Sequence, residues 1–346
     1  MSLMRSQKLC CLAAAGSLIL AGTWVLTDKL LAQEPPVPVF HSKVDLVVLT
    51  FTVTDSKGKY VNGLKPSDFK ITEDGIPQKL STFAEGDRPA MAVGDGGVLK
   101  ALSPQAAAAA EATAAQQANL QQTDTFAGTS VFVLFDTSNF MYRGFVYAED
   151  AIGDFIRGLD KADSVAVYTF SRNLSRAASL TSDHSDAISG LRTAVAGDDT
   201  ALYNGLLLAL RDAAKVPGRK VVIVFSNGPD NASMVAPDDV RTVAEDEGIP
   251  IYVISTNDVN KDPISSSVFR RITQSTGGKA YWAKTWQKQV EAFDAIREDI
   301  GNSYAVTYYP APNPNDGFRK INIEIVSDTA KKYRVRARPG YRPRSY

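Results

Sequence analysis

Asp136 and Ser138 stand two residues apart in "FDTSNF", directly after the apolar run "VFVLF". A strand that delivers its chain into such a loop presents a carboxylate and a hydroxyl together, the oxygen types that a hard cation takes. Two other stretches supply similar chemistry: "GDDTALYNGL", with Asp198, Asp199 and Thr200, and "FSNGPDN", with Asn227 and Asp230. Spacing alone also fits a structural reading. Asp136 could cap a helix beginning near Arg143 or accept N–H bonds within its loop, and Thr200 could be the N-cap of a helix beginning at Leu202.

Other chemistries find few residues. The chain has two histidines, His41 and His184, and two cysteines, Cys10 and Cys11. It contains no G-x-S-x-G, no P-loop and no H-E-x-x-H. A hydrolase would have to rest on His184 in the polar turn "TSDHSDA", which reads as a solvated loop or cap residue. The expectation is a protein without catalytic residues.

The elements that must position the oxygens follow from hydrophobic patterning. "SVFVLFD", "DSVAVYTF", "RKVVIVFSN" and "IPIYVIST" are continuous apolar runs, suited to strands buried on both faces of a parallel sheet. Helical segments are expected between them at 146–159, 185–194, 202–214, 238–247 and 266–275, with a last helix in "WQKQVEAFDAIREDIG". This alternation implies an α/β, doubly wound, mostly parallel sheet with helices on both faces. The right-handed crossover rule brings the strand C-termini, and so the three oxygen-bearing loops, to one edge.

On either side the period changes to two. "VDLVVLTFTVTD" and "ITEDGIPQKLSTF" at the front, and "SYAVTYYPA", "FRKINIEIVSD" and "KKYRVRARPGY" at the end, read as short strands joined by turns. Neither set can bury a core alone, so residues 42–86 and 302–346 are expected to pair into one small β-sandwich with the α/β domain, 129–301, inserted between them. Residues 87–128, rich in Ala and Gln, read as a linker. From Arg319 to Tyr346 nine Lys or Arg face two acidic residues, and their alternation reads as a half-solvated strand, with anionic-polymer binding as the alternative.

The first 32 residues have the form of an export signal: Arg5 and Lys8, then a mostly apolar stretch from Leu9 to Leu26, then Ala32 before a Pro-rich start. Retention as an N-terminal anchor is the alternative and would be the chain's one route to a membrane. Both cysteines lie in this segment, so the processed chain would have neither disulfides nor thiol chemistry. Lys plus Arg and Asp plus Glu both number 38, and processing would leave 35 and 37. Near-neutrality gives no basis for nucleic-acid binding.

Together, "FDTSNF", "TALYNGL", "FSNGPD" and "TGGKAYWA" resemble the von Willebrand factor type A domain over about residues 129–301. In that family a D-x-S-x-S loop, a Thr from a second loop and an Asp in a "DG" step form a metal-ion-dependent adhesion site, whose Mg²⁺ is completed by an acidic group of the partner. The resemblance places Asp136, Ser138 and Thr200 at metal-ligand positions. It departs at Phe140, which replaces the second Ser, and at Asn227, which replaces the Asp. The flanks, through Leu64, Asp68, Phe69, Glu73-Asp74-Gly75, Gln78, Arg338, Gly340 and Tyr341, are similar to exported bacterial proteins carrying a related domain.

One carboxylate and two hydroxyls are a poor cage for Mg²⁺ unless Asp198, Asp199 or Asp230 compensates. The expectation is therefore a degenerate metal site with no cofactor, a weak Mg²⁺, Mn²⁺ or Ca²⁺ site being the alternative. The resemblance implies an exported, adhesion-like protein-interaction module, secreted or in the cell envelope. Its protein partner would meet the edge carrying Asp136, Phe140, Thr200, Asn227 and Asp230.

Overall fold

Four apolar runs in the middle of the chain need burial on both faces, and they obtain it in one sheet. The computed structural model describes residues 46–101, 128–161, 163–326 and 333–343. The expected export signal and most of the Ala/Gln-rich stretch lie outside the described residues. Residues 44–346 form one compact unit. The chain opens with β1 (Val47–Thr54), β2 (Phe69–Glu73), β3 (Ile76–Pro77), β4 (Leu80–Glu85), β5 (Met91–Val93) and β6 (Leu99–Lys100). It then runs through β7 (Thr129–Asp136), α1 (Phe145–Arg157), β8 (Ser164–Phe170), β9 (Leu174–Thr181), α2 (His184–Leu191), α3 (Leu202–Ala214), β10 (Arg219–Ser226) and α4 (Pro237–Asp246). After β11 (Ile251–Ser255), α5 (Pro263–Thr276), β12 (Ala280–Trp282) and α6 (Trp286–Gly301), it ends in β13 (Ser303–Tyr308), β14 (Arg319–Ile325), β15 (Arg334–Ala337) and β16 (Gly340–Tyr341).

The central sheet has the order β12-β11-β10-β7-β8-β9 and is parallel except for β9. Alternate side chains of each strand point to opposite faces. Val133, Phe135, Ile223 and Phe225 pack with Ile152 and Phe155 of α1 and Phe293 and Ile296 of α6. Leu134, Val222 and Val224 pack on the other face with Leu206 and Leu210 of α3, Val240 of α4 and Phe269 of α5. The registers Asp136↔Phe170, Phe135↔Phe225 and Ser226↔Ser255 bring the C-terminal ends of β7, β8, β10 and β11 to one edge.

The outer strands pair as patterning implies. One sheet has the order β15-β1-β13-β4-β5-β6 and a second the order β16-β14-β2-β3, so each combines strands from both ends of the chain. Leu49, Phe51, Phe69, Phe83, Tyr304 and Val306 share one core. Asp74 and Gly75 turn β2 into β3 with φ of 49° and 86°, the left-handed pair that a tight hairpin requires. The Asp74 carboxylate accepts bonds from the Lys320 N–H, Asn313 and Asn315. Next to it the buried Glu73 carboxylate accepts the hydroxyls of Tyr308 and Tyr341, both at 2.8 Å. Gln78 accepts the Ala311 N–H. These flanking motif residues thus fasten the two ends of the chain to each other.

Three features depart from expectation. Strands β5 and β6 extend the first sheet to Lys100, into a stretch that composition marks as linker, because Val93 and Leu99 reach the sandwich core. β9 adds an antiparallel edge whose sequence, "LSRAASLT", carries little apolar signal. The basic C-terminal strand is not a solvated edge throughout. Arg338 is buried and donates to the carbonyls of Glu245 and Val48, and Arg336 pairs with the buried Asp299 at 2.7 Å.

Candidate functional site

Asp136 is the last residue of β7 and is wholly buried. Its Oδ1 accepts the Ser138 N–H at 2.9 Å and its Oδ2 accepts the Ser226 hydroxyl at 2.6 Å, clipping the first loop to the end of β10. Burial pushes the Asp136 carboxyl above the usual carboxylate range; Ser226 and Ser138 pull it back down, and Asp230 adds to the rise.

The next residue of the β10 loop, Asn227, reaches the first loop: its Nδ2 donates to the Phe140 carbonyl at 3.1 Å. Gly228 follows at φ 114°, and a Cβ there would stand 3.0 Å from Ser265 Cβ. Glycine is what lets the chain turn this close to α5. The third loop joins through Asn139 N–H to Asp198 O at 3.1 Å and Gly197 N–H to Thr137 O at 2.8 Å. Thr200 N–H donates to Asn231 Oδ1 at 2.8 Å, and the N–H groups of Asn231 and Ala232 return to Thr200 O. The three loops that patterning assigns to this edge are therefore hydrogen-bonded to one another.

Within them three oxygens are left over. Ser138 Oγ, Thr200 Oγ1 and Asn227 Oδ1 are buried and make no hydrogen bond. Hydroxyl, amide and carboxylate oxygens are donor types that a hard cation takes, as the divalent ion that the family resemblance implies would require. Ser138, Thr200 and Asp136 would hold it, and the ion would supply a positive point for an acidic or carbonyl group of a partner.

Two expected roles are corrected. Thr200 does not cap α3, since its hydroxyl has no partner and Ala201 is the N-cap. That work falls to Asp230, whose Oδ2 accepts the Tyr203 N–H at 3.0 Å and whose Oδ1 accepts the N–H groups of Ser233 and Ala232. Both Asp230 oxygens are thus bonded to backbone N–H groups. Asp199 is likewise engaged, by Arg172 at 3.3 Å. Nor does Asp136 cap a helix; it binds within its own loop and to β10.

Phe140, in the short helical turn after the first loop, is 49% exposed. Val146 and Tyr147 at the start of α1, Met234 in the loop after β10 and Ile264 at the start of α5 are exposed as well. All come from connections leaving the same strand edge. His184 sits elsewhere: its ring contacts the Asp163 carbonyl, just before β8 begins. It is therefore about 20 Å from Asp136 by strand length.

Residues 130–295 match the family model of the von Willebrand factor type A domain. Among solved structures, the chain is similar to an aerotolerance-related membrane protein from Bacteroides fragilis, with 18% identity over 50% of this chain and 98% of that one and a TM-score of 0.42. It is similar to BatB, a conserved hypothetical protein from Bacteroides thetaiotaomicron, with 19% identity over 50% and 97% and a TM-score of 0.40. A von Willebrand factor type A structure from Catenulispora acidiphila shows 10% identity over 86% and 73%, with a TM-score of 0.42. Comparison with curated proteins gives no match.

Proposed function

With a von Willebrand factor type A domain at residues 130–295 as the premise, we propose that this protein is an exported, non-catalytic interaction module that meets a protein partner through the loop edge of its central sheet. The observation that carries the reading is the half-exposed Phe140 in the connection that also carries the buried Asp136 and Ser138. A large aromatic held at such a position costs solvation unless a partner covers it, and rigid aromatic side chains beside polar anchors are the usual centres of binding energy. Secretion or residence in the cell envelope follows from the leader. Among the described residues no helix is long and apolar enough to cross a membrane.

The test is recovery of a partner from envelope extract on the immobilised chain, compared with Phe140→Ser. Phe140 has half its surface in water, so this substitution should leave the fold intact while weakening recovery about tenfold or more. Equal recovery by the two proteins would remove Phe140 from the contact. Activity in a hydrolytic screen that disappears in His184→Ala would replace the whole reading with an enzymatic one.

A further inference from the structure

We propose that the groove between α5 and the β15–β16 connection binds an acidic polysaccharide, with Arg270 gripping a carboxylate of the polymer and Ser267 and Gln274 meeting its hydroxyls. The groove, about 500 Å³ in volume, is open and is lined by Ser267, Arg270, Arg271, Gln274, Ser275 and Pro339. Ser267, Arg270, Arg271 and Gln274 follow the spacing i, i+3, i+4, i+7, which sets them on one face of α5. Pro339 forms the opposite wall because the chain can come close to the end of the helix. Gly277, the left-handed C-cap at φ 83°, makes that approach possible, since a Cβ there would stand 3.0 Å from the Arg338 backbone nitrogen. The groove thus lies toward the end of α5 remote from Ile264 and the loop edge.

No carboxylate lines the groove. Arg271 is held by Asp238 at 3.4 Å, and Asp238 also takes Arg241 at 3.2 Å. Arg241 in turn meets Glu245 at 2.7 Å, and Arg342 reaches Glu245 and Asp246, each at 3.8 Å. Within this network three guanidinium groups balance three carboxylates. Arg270 stands outside it: its Cζ lies 4.7 Å from the centroid of the Trp282 ring, and that indole is fixed by donating to Ser266 Oγ at 3.1 Å. A guanidinium stacked on an anchored ring has already lost rotamer freedom, so its fork closes on a carboxylate at less entropic cost. Ser275 donates to the Ile272 carbonyl at 3.0 Å, which leaves Ser267 and Gln274 as the exposed neutral polar groups of the helix face. A lipid tail would find one apolar lining residue, Pro339, and an open groove does not enclose a small molecule. A polymer carrying hydroxyls and carboxylates along its length presents acceptors to these donors as it crosses the groove. Arg336 and Arg338 of the basic C-terminal stretch are engaged by Asp299 and by backbone carbonyls, so anion recognition falls to α5 instead.

The test is titration of the full chain with polygalacturonate, a carboxylated polysaccharide, and with neutral dextran, followed by calorimetry and by tryptophan fluorescence. The expected result is saturable binding of polygalacturonate with a change in emission, because Trp282 lies under the arginine that takes the carboxylate, and no binding of dextran. Arg270→Gln removes the charge from an exposed side chain and should weaken binding about fivefold or more. Arg270→Lys keeps the charge but loses the fork and the stacking, and should weaken it about threefold. Arg334→Gln, on exposed β15 outside the groove, should stay within about twofold of the parent. Circular dichroism checks that each variant folds. Absence of saturable binding to polygalacturonate, or unchanged affinity in Arg270→Gln, overturns the site. A loss in Arg334→Gln as large as in Arg270→Gln would show diffuse charge attraction and overturn the groove. Equal binding to dextran would overturn recognition of the acid group, and tighter binding to phosphatidylglycerol vesicles than to polygalacturonate would replace the polysaccharide with a membrane surface.

Discussion

At the scale of single residues, the ionisable groups that burial perturbs most informatively lie at the other end of the sheet from the oxygen cluster. Asp163 is 2% exposed, accepts the Thr129 N–H at 2.7 Å, and is pushed up to about 6 by burial, with Asp87 and Asp160 adding to the rise and Arg219 opposing it. Its carboxyl thus binds a proton more readily folded than unfolded. The associated stability is complete below about pH 4 and is lost as pH rises through about 6. Asp163→Asn keeps an oxygen for Thr129 and removes the titration. The difference in unfolding free energy between the two proteins should therefore change by roughly 2 kcal/mol from pH 4 to 7, read from urea denaturation at each pH. A pH-independent difference would assign Asp163 an ordinary pKa. Residues also mark where sequence reading stopped. Asp136 and Ser138 were legible because an apolar run ended on them. The setting of Asn227 was not, since it depends on the carbonyl of a residue 87 positions away.

Elements repeat this division between local and distant causes. The helix from Leu202 to Ala214 has the bounds that its apolar period gives, because Leu202, Leu206 and Leu210 all face the core. Its N-terminus does not follow from local sequence: the nearby Thr200 leaves its hydroxyl unbonded, and Asp230, Asn204 and Ser233 knit the start of the helix to the loop after β10. A side chain that accepts a backbone N–H at a helix start is worth about 1–2 kcal/mol. Asp230→Ala should lower stability by that amount in denaturant titration. Unchanged stability would mean that other groups hold the start of the helix. β5, β6 and β9 escaped the sequence for a related reason. Short edge strands need few apolar residues of their own once a neighbouring strand presents an unpaired backbone.

For the molecule as a whole, the sandwich and the α/β domain are joined by buried charge as well as by chain connections. Asp299 of α6 is wholly buried and meets Arg336 of β15 at 2.7 Å, the Tyr60 hydroxyl at 2.5 Å and Lys279 at 3.3 Å. Arg336 also donates to the Gly277 carbonyl and the Thr52 hydroxyl. A basic residue that alternation alone assigns to solvent is instead the bolt between two layers, because its countercharge lies on a helix 37 residues earlier in the chain. Breaking a buried pair strands the partner's charge and costs more than the pair contributes to stability. Lys279 and Tyr60 remain beside Asp299, so Arg336→Met should cost about 2–3 kcal/mol, less than a carboxylate left with no cation. Both regions should register the loss. Trp282 and Trp286 report the α/β domain by fluorescence, and amide exchange in β1 and β13 reports the sandwich. A fall in the fluorescence midpoint with unchanged exchange in β1 and β13 would show two regions that unfold independently. A matched fall in both would establish that the strands at the chain's two ends set the stability of the domain inserted between them, and hence the rigidity of the loops at its far edge.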